Sequence, residues 1–447
     1  MKYSLKEIAL ITGGKVFGDE NAEITGFFTD SRQAESGKMF VAIVGEKTDG
    51  HSYITMVLKE NSAILCEKKP TVKGNFVMVK NSILALQQVA LNYRQKFKIP
   101  HIAITGSVGK TTTKEMVALA LESQLDVLKT LGNANSQIGL PRTLMSVENH
   151  HEVAVIEMGM SVPGEMEKIA YCARPDIVVF TNVGVSHIEF HGTKEKIMEQ
   201  KLHIADYFNK DNVMFVNGDD QLLATLKSKN LYKVVEFGTC ENCDYRAVNL
   251  TQNANGTKFT CVFGDKQMDM FIPVVGLHNV QNALASFAVA DYLNLNLELV
   301  AKALASYIPP QMRQQIVKTD KFTIIDDSYN ASPDSMVSSL NILSSMTGGK
   351  KIAVLADMLE LGDYSQKGHK KIGEYAKTLG IDYVIAFGDE SKNIVKGFGN
   401  NEKSSHFTDY DMAEYFLLSL AKKDDTILCK GSRGMQTDRF VKALKGE

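Results

Sequence analysis

One short segment constrains this chain more than any other. Residues Ile102 to Thr113, IAITGSVGKTTT, run from an apolar strand into a loop of small residues and a lysine, then into residues that open a helix. Gly106 and Gly109 remove the Cβ atoms that would hold the backbone off a ligand, so the loop Gly106, Ser107, Val108, Gly109 can aim consecutive N–H groups at phosphate oxygens. Lys110 adds a mobile positive charge. Thr111, with Thr112 beside it, offers a hydroxyl for Mg²⁺, and the following helix presents the positive end of its dipole. The usual phosphate loop has four residues between its glycines, whereas only Ser107 and Val108 intervene here. The segment reads as a shortened relative, and the flanking IAIT and KEMVALALE supply the strand-loop-helix context.

A chain of 447 residues is too long for one ordinary core and predicts about three domains. With 50 basic against 52 acidic residues it has no global field to hold nucleic acid or an anionic membrane, so substrate charge must be met locally. The N-terminal MKYSLKEIALITGG has neither the apolar core nor the cleavage pattern of a signal peptide, and no later run is long enough to span a bilayer. A cytoplasmic protein without membrane insertion, acting as a monomer, is the expectation. Six cysteines do not make a disulfide framework over this length. Cys240 and Cys243 form one CxxC, but a zinc site would need a second pair and only Cys261 is nearby, so reduced thiols are expected.

Short apolar runs alternate with helical patterns through most of the chain, which predicts an α/β protein with parallel sheets covered by helices. The first part, 1–98, holds TDSR, KMFVAIVG and DGH and ends in the helical SILALQQVALNYRQKF before Pro100; it predicts a smaller α/β domain. The second, 99–311, carries the phosphate loop on a parallel sheet. Between Tyr245 and Val275 it switches to short alternating segments that predict an antiparallel addition, and Pro309-Pro310 stops its last helix. The third, 312–447, alternates again and predicts a Rossmann-like domain. Asp326, Asp327, Asp357 and Lys430 fall at the carboxyl ends of its strands, where ligands lie in such sheets.

Glu157 closes the strand EVAVIEM level with the phosphate loop and can bind the Mg²⁺ that Thr111 touches, or can simply cap the next loop. His187 follows the apolar strand before TNVGVSHIEFHG, a position beside a metal-binding strand end. Asn279 and Asn282 sit at a helix start, where Asn caps helices and can also pair with an adenine edge. Turn chemistry explains Asn330 to Pro333. Lys430 to Gly434 can bind an anion or face solvent as a cationic loop.

Taken in order, TDSR and DGH, ITGSVGKTTTKEM, LGNANSQIGLPRTL, EMGMSVPGEME, TNVGVSHIEFHGTKEKI, GLHNVQNALA, IIDDSYNASPDSM, VLADMLELGDYSQKGH and KGSRGM resemble the Mur ligases of bacterial cell-wall synthesis across all three parts. DDSYNASPDSM resembles the members that join D-alanyl-D-alanine to UDP-N-acetylmuramoyl-tripeptide. The alternative is a related Mur-type or folylpolyglutamate-type amide ligase with another amine. The resemblance implies ATP-dependent amide synthesis through an acyl phosphate. It matches Lys110 and Thr111 to phosphate and metal binding, Glu157 and His187 to metal ligands, and Lys201 to a lysine carried as a carbamate that helps hold a second Mg²⁺. Asn279, Asn282 and Arg313 match nucleotide contacts. Asp327, with Tyr329, Asn330, Lys430 and Arg433, would face ATP and the dipeptide, while Ser31, Arg32, Asp49 and His51 resemble the region that holds the uridine nucleotide. The chain departs from the family pattern at Leu202-His203, Met312, Ser332 and Ala356.

Overall fold

The computed structural model describes residues 1–227, 231–253 and 255–447. The chain divides into two compact units, one of residues 1–105, 125–178 and 200–213, the other of residues 106–124, 179–199 and 214–447.

The first unit opens with the helix Leu5–Thr12, started by a reciprocal Ser4–Glu7 capping box and stopped at Gly13, whose φ of 63° few other residues adopt at so little strain. Its five-stranded sheet runs Lys15–Phe17, Phe76–Met78, Ala63–Cys66, Lys38–Val41, Gly26–Phe28, parallel except for the first edge strand. Phe28, Phe40, Ile64 and Phe76 are central to its core. The helix Ser82–Arg94 is tied to later segments of the same unit: Tyr93 donates to the Val147 carbonyl at 2.7 Å, and Arg94 to the carbonyls of Ala173 and Arg174 and to Asp176. Those segments include three parallel strands, with Val153–Glu157 between His101–Thr105 and Val127–Lys129. Every residue of the strands His101–Thr105 and Val153–Glu157 is buried, as parallel strands covered on both faces require. Their register pairs Glu157 with Ile104, two residues before Gly106 in the chain.

In the second unit the antiparallel addition is present as read: Tyr245–Asn253, Gly256–Phe263 and Lys266–Ile272 pair as successive hairpins, with Phe287 of the helix Leu277–Tyr292 packed 5.2 Å from Phe263. A six-stranded sheet follows, ordered Gln315–Lys318, Thr323–Asp327, Thr426–Lys430, Lys351–Ala356, Tyr383–Phe387, Ser404–Phe407. All its pairings are parallel save that of the first strand. Separate apolar clusters, one around Leu340, Leu355 and Ile372 and one around Ile352, Leu417 and Phe440, make a doubly wound arrangement. The α/β class is thus as predicted. One expectation fails: Cys240 and Cys243 are joined in a disulfide, their Cα atoms 5.5 Å apart across a turn closed by Cys243 N–H on the Cys240 carbonyl. That separation lies within the span a bridge requires, which spacing in sequence does not reveal. Among the described residues no helix is long and apolar enough to cross a membrane.

Candidate active site

The phosphate loop forms as the residues dictate. Gly106 and Gly109 have φ of 145° and 85°, and a Cβ on Gly106 would lie 2.0 Å from the Thr181 hydroxyl. Gly109 caps the helix Lys110–Glu122, so its leading N–H groups and dipole face out of the loop. The loop is pinned from outside by a residue that sequence reasoning passed over. Asn182 accepts from Val108 N–H at 2.9 Å through Oδ1, donates through Nδ2 to the Val108 carbonyl at 2.9 Å, and takes Ser107 N–H on its own carbonyl at 3.0 Å. Thr181 adds a 2.6 Å bond to the Val108 carbonyl. Lys110 Nζ donates to the Gly106 carbonyl at 2.8 Å, so the cation lies over the loop itself. Thr111 is buried and Thr112 only half so.

Asn282 accepts from Thr113 at 2.9 Å, which fastens the helix Leu277–Tyr292 to the helix of the phosphate loop. Its Nδ2 is buried without a partner among the described residues, and both side-chain termini lie within 4 Å of where a Gly109 Cβ would stand. An orphaned buried donor beside the loop fits a site completed by a polar ligand. Asn279 donates to the Val275 carbonyl at 2.8 Å and, weakly, to Gln314; His278 meets the same Gln314 amide at 2.7 Å, and burial lowers its pKa. Arg313 stacks on Tyr329, its guanidinium carbon 4.0 Å from the ring centre.

At the carboxyl ends of the second unit's parallel strands, register sets Asp327 opposite Lys430. Lys430 is 2% exposed; its ammonium bonds Asp327 at 2.6 Å and the Asn330 carbonyl at 2.9 Å. Asp327 also accepts from Ser339, and from Gln314 N–H. These groups therefore brace one another and shape the turn that carries Tyr329 and Asn330. Arg433 remains exposed and pairs with Asp438 at 3.2 Å. Asp334, on the helix Pro333–Ser345, reaches Val185 N–H at 2.9 Å. His187 has a left-handed backbone, φ 62°, and its Nδ1 lies 2.6 Å from Glu360 Oε2, off the axis of an aligned ring N–H bond. Pairing with His187 holds the Glu360 carboxyl below its ordinary range.

In the first unit Glu157 is 2% exposed, with its carboxylate 2.7 Å from Asn135 Nδ2 and its N–H on Thr130 Oγ1. Lys201, at 1%, is buried. Arg32 of the turn Ser31–Gln33 grips Asp30 through Nε and Nη2 and lowers the Asp30 pKa to about 2. In the turn Gly50–Tyr53, His51 is fixed as one neutral tautomer: Nδ1 pairs with Asp49 at 2.6 Å while Nε2 accepts Glu67 N–H at 3.0 Å. Lys68 completes the Asp49 contacts at 2.5 Å, and together they hold that carboxyl far below its usual range.

Residues 104–290 match the family model described as the Mur ligase middle domain, and residues 312–433 match the Mur ligase, glutamate ligase domain. The UDP-N-acetylmuramoyl-tripeptide–D-alanyl-D-alanine ligase of Bacillus subtilis (strain 168) is 36% identical, over 99% of this chain and 98% of that protein. The chain belongs to the Mur ligase family. As a Mur ligase it is an ATP-dependent ligase. The correspondingly named Escherichia coli (strain K12) ligase is 31% identical over 99% of this chain and 98% of its own. In three dimensions the chain resembles a crystal structure of MurF from Acinetobacter baumannii at a TM-score of 0.95 and 28% identity, over 100% and 99% of the two chains. It also resembles the MurF ligase from Thermotoga maritima in complex with ADP, at 0.86 and 29% over 94% and 97%.

Proposed function

We propose that this Mur ligase joins D-alanyl-D-alanine to UDP-N-acetylmuramoyl-tripeptide, converting ATP to ADP and phosphate, in the cytoplasm where both nucleotides are found. The observation that carries the reading is the 36% identity, along essentially its whole length, to the B. subtilis ligase of that name. The proposed division of labour has residues 1–98 hold the uridine nucleotide, 99–311 hold ATP, and 312–447 contact ATP and the incoming dipeptide.

A carboxylate is a poor electrophile, so the tripeptide's terminal carboxylate oxygen first attacks the γ-phosphorus. The bond from that phosphorus to the bridging oxygen breaks, and ADP leaves. The dipeptide amine then attacks the acyl phosphate carbonyl, loses a proton, and expels phosphate. Anions crowd the first step. Lys110 and the leading N–H groups of its helix would offset that charge, and Asn182 keeps the loop in the shape that lets them do so. Thr111, Glu157 and His187 supply hydroxyl, carboxylate and imidazole donors, a set rich in hard oxygen that suits Mg²⁺. Held by such donors, Mg²⁺ would neutralise phosphate charge. Lys201, buried in the first unit, would be carried as a carbamate, an anion in place of a cation. Arg313 stacked on Tyr329, with Asn279 and Asn282, would contact the nucleotide.

The test is phosphate release with ATP, Mg²⁺, UDP-muramoyl-tripeptide and D-alanyl-D-alanine, each omitted in turn, and with other amines in place of the dipeptide. Release should require all four. Full-rate release without the dipeptide, or with folate and glutamate instead, would overturn the assignment.

A further inference from the structure

The residues of VLADMLELGDYSQKGH run on from the strand Lys351–Ala356. One of them, Glu360, has the shortest charged contact to His187 that the structure shows, with Oε2 2.6 Å from Nδ1. Both residues hold left-handed backbones, φ 61° for Glu360 and 62° for His187. A non-glycine residue in that region is strained and persists where its surroundings over-determine it. Here two such residues face each other, and the segment bearing His187 is held at neighbouring points as well. Asp334 accepts Val185 N–H at 2.9 Å and fits against Gly184, where a Cβ would lie 2.2 Å from its Oδ2. Gly362 packs on Glu189, where a Cβ would lie 3.0 Å from its Cγ. Residues 334, 360 and 362 thus fasten residues 184–189 from the part of the chain that carries the Rossmann-like sheet.

We propose that Glu360 is the positioning residue for His187: by engaging Nδ1 it sets the ring so that Nε2 is the nitrogen offered to the metal. This rests on the reading of His187 as a metal ligand. An imidazole has two nitrogens, and a carboxylate on one fixes both tautomer and orientation of the other. The contact stands off the N–H axis, and catalytic contacts of this kind commonly tighten only when substrates bind. Because Glu360 lies in the third part of the sequence, His187 is set only while that part is docked on residues 184–189, which ties assembly of the metal site to the docked arrangement.

Glu360 is half exposed, so Glu360→Ala and Glu360→Gln should fold and melt like the parent. In metal-free protein labelled with ¹⁵N-histidine, the parent's His187 should show a predominantly Nδ1-protonated ring, and Glu360→Ala a mixture of tautomers. Removing such an outer carboxylate weakens metal affinity or activity about 10- to 100-fold in comparable sites. Glu360→Ala should therefore need that much more Mn²⁺ for half-maximal binding with an ATP analogue and lose kcat, with the dipeptide KM unchanged. Glu360→Gln, whose amide oxygen still accepts, should recover part of both. Parent-like ¹⁵N shifts and Mn²⁺ affinity in Glu360→Ala would overturn the proposal. Failure of Mn²⁺ with nucleotide to broaden the His187 resonances in the parent protein would instead sink the ligand reading beneath it, whatever the variants do.

Discussion

Replacing Asn182 by alanine tests how the phosphate loop keeps its shape. The side chain makes two 2.9 Å bonds to a single peptide unit of the loop, one to Val108 N–H and one to the Val108 carbonyl, and alanine removes both. The bond from Ser107 N–H to the backbone carbonyl of residue 182 survives the change. Two partly buried bonds at about 0.5–1.5 kcal/mol each amount to about 1–3 kcal/mol of lost pre-organisation. At about 1.4 kcal/mol per decade, the KM for ATP should rise by about 5- to 150-fold. The loop grips phosphates in ground and transition states alike, so kcat at saturating ATP should fall much less. Asn182→Asp should be worse than alanine: it keeps the acceptor for Val108 N–H, but turns a carboxylate on the Val108 carbonyl and adds an anion beside bound phosphates. Steady-state phosphate release against ATP concentration, with calorimetric titration of an ATP analogue, measures both. An ATP KM within twofold of the parent in both variants, at unchanged thermal midpoint, would refute the reasoning.

Two further outcomes follow from buried charge. Lys430→Ala leaves Asp327 buried beside Ser339 with its cation gone, which should cost about 3–5 kcal/mol in chemical denaturation; the double change Lys430→Met with Asp327→Asn should recover much of it. His101 is buried, and desolvation, then the Arg94 charge, lowers its pKa from 6.5 to about 3. The unfolded chain therefore binds a proton that the folded one refuses, so this residue's contribution is complete above pH 6.5 and declines as pH falls towards 3. Between pH 5 and 6.5 the stability-against-pH slope should approach about 1.4 kcal/mol per unit from this residue and flatten in His101→Gln. An unchanged slope would show that the ring is not held neutral.

What could be read in the sequence was whatever one stretch of backbone carries by itself. Twelve consecutive residues hold strand, loop and helix start, so the glycines, Lys110 and Thr111 declare the phosphate loop, and strand-helix punctuation puts Asp327 and Lys430 at strand ends, which the register of the sheet then makes neighbours. The side chains that lock these features come from far along the chain. Asn182 lies 74 residues from Val108 and Asp334 149 from Val185, and each looks in isolation like one more polar residue at the end of an element. Nor can spacing distinguish a buried lysine that braces an aspartate from a surface lysine awaiting an anion, which is why Lys430 was open to both readings. By sequence Asn282 fits either a cap or a ligand contact; its Oδ1 accepts from Thr113 while its Nδ2 stays unpaired among the described residues, so the two halves of one amide have different fates. The Cys240–Cys243 bridge depends on backbone separation across a turn, and composition gives no hint of it.

The central claim is that this ligase activates a carboxylate by phosphorylating it. UDP-muramoyl-tripeptide carrying ¹⁸O in its terminal carboxylate tests this directly, by mass analysis of the phosphate released during turnover with unlabelled ATP and D-alanyl-D-alanine. One ¹⁸O should appear in each phosphate, because the acyl oxygen leaves with the phosphoryl group. Phosphate free of label, with all the ¹⁸O retained by peptide or water, would contradict the account.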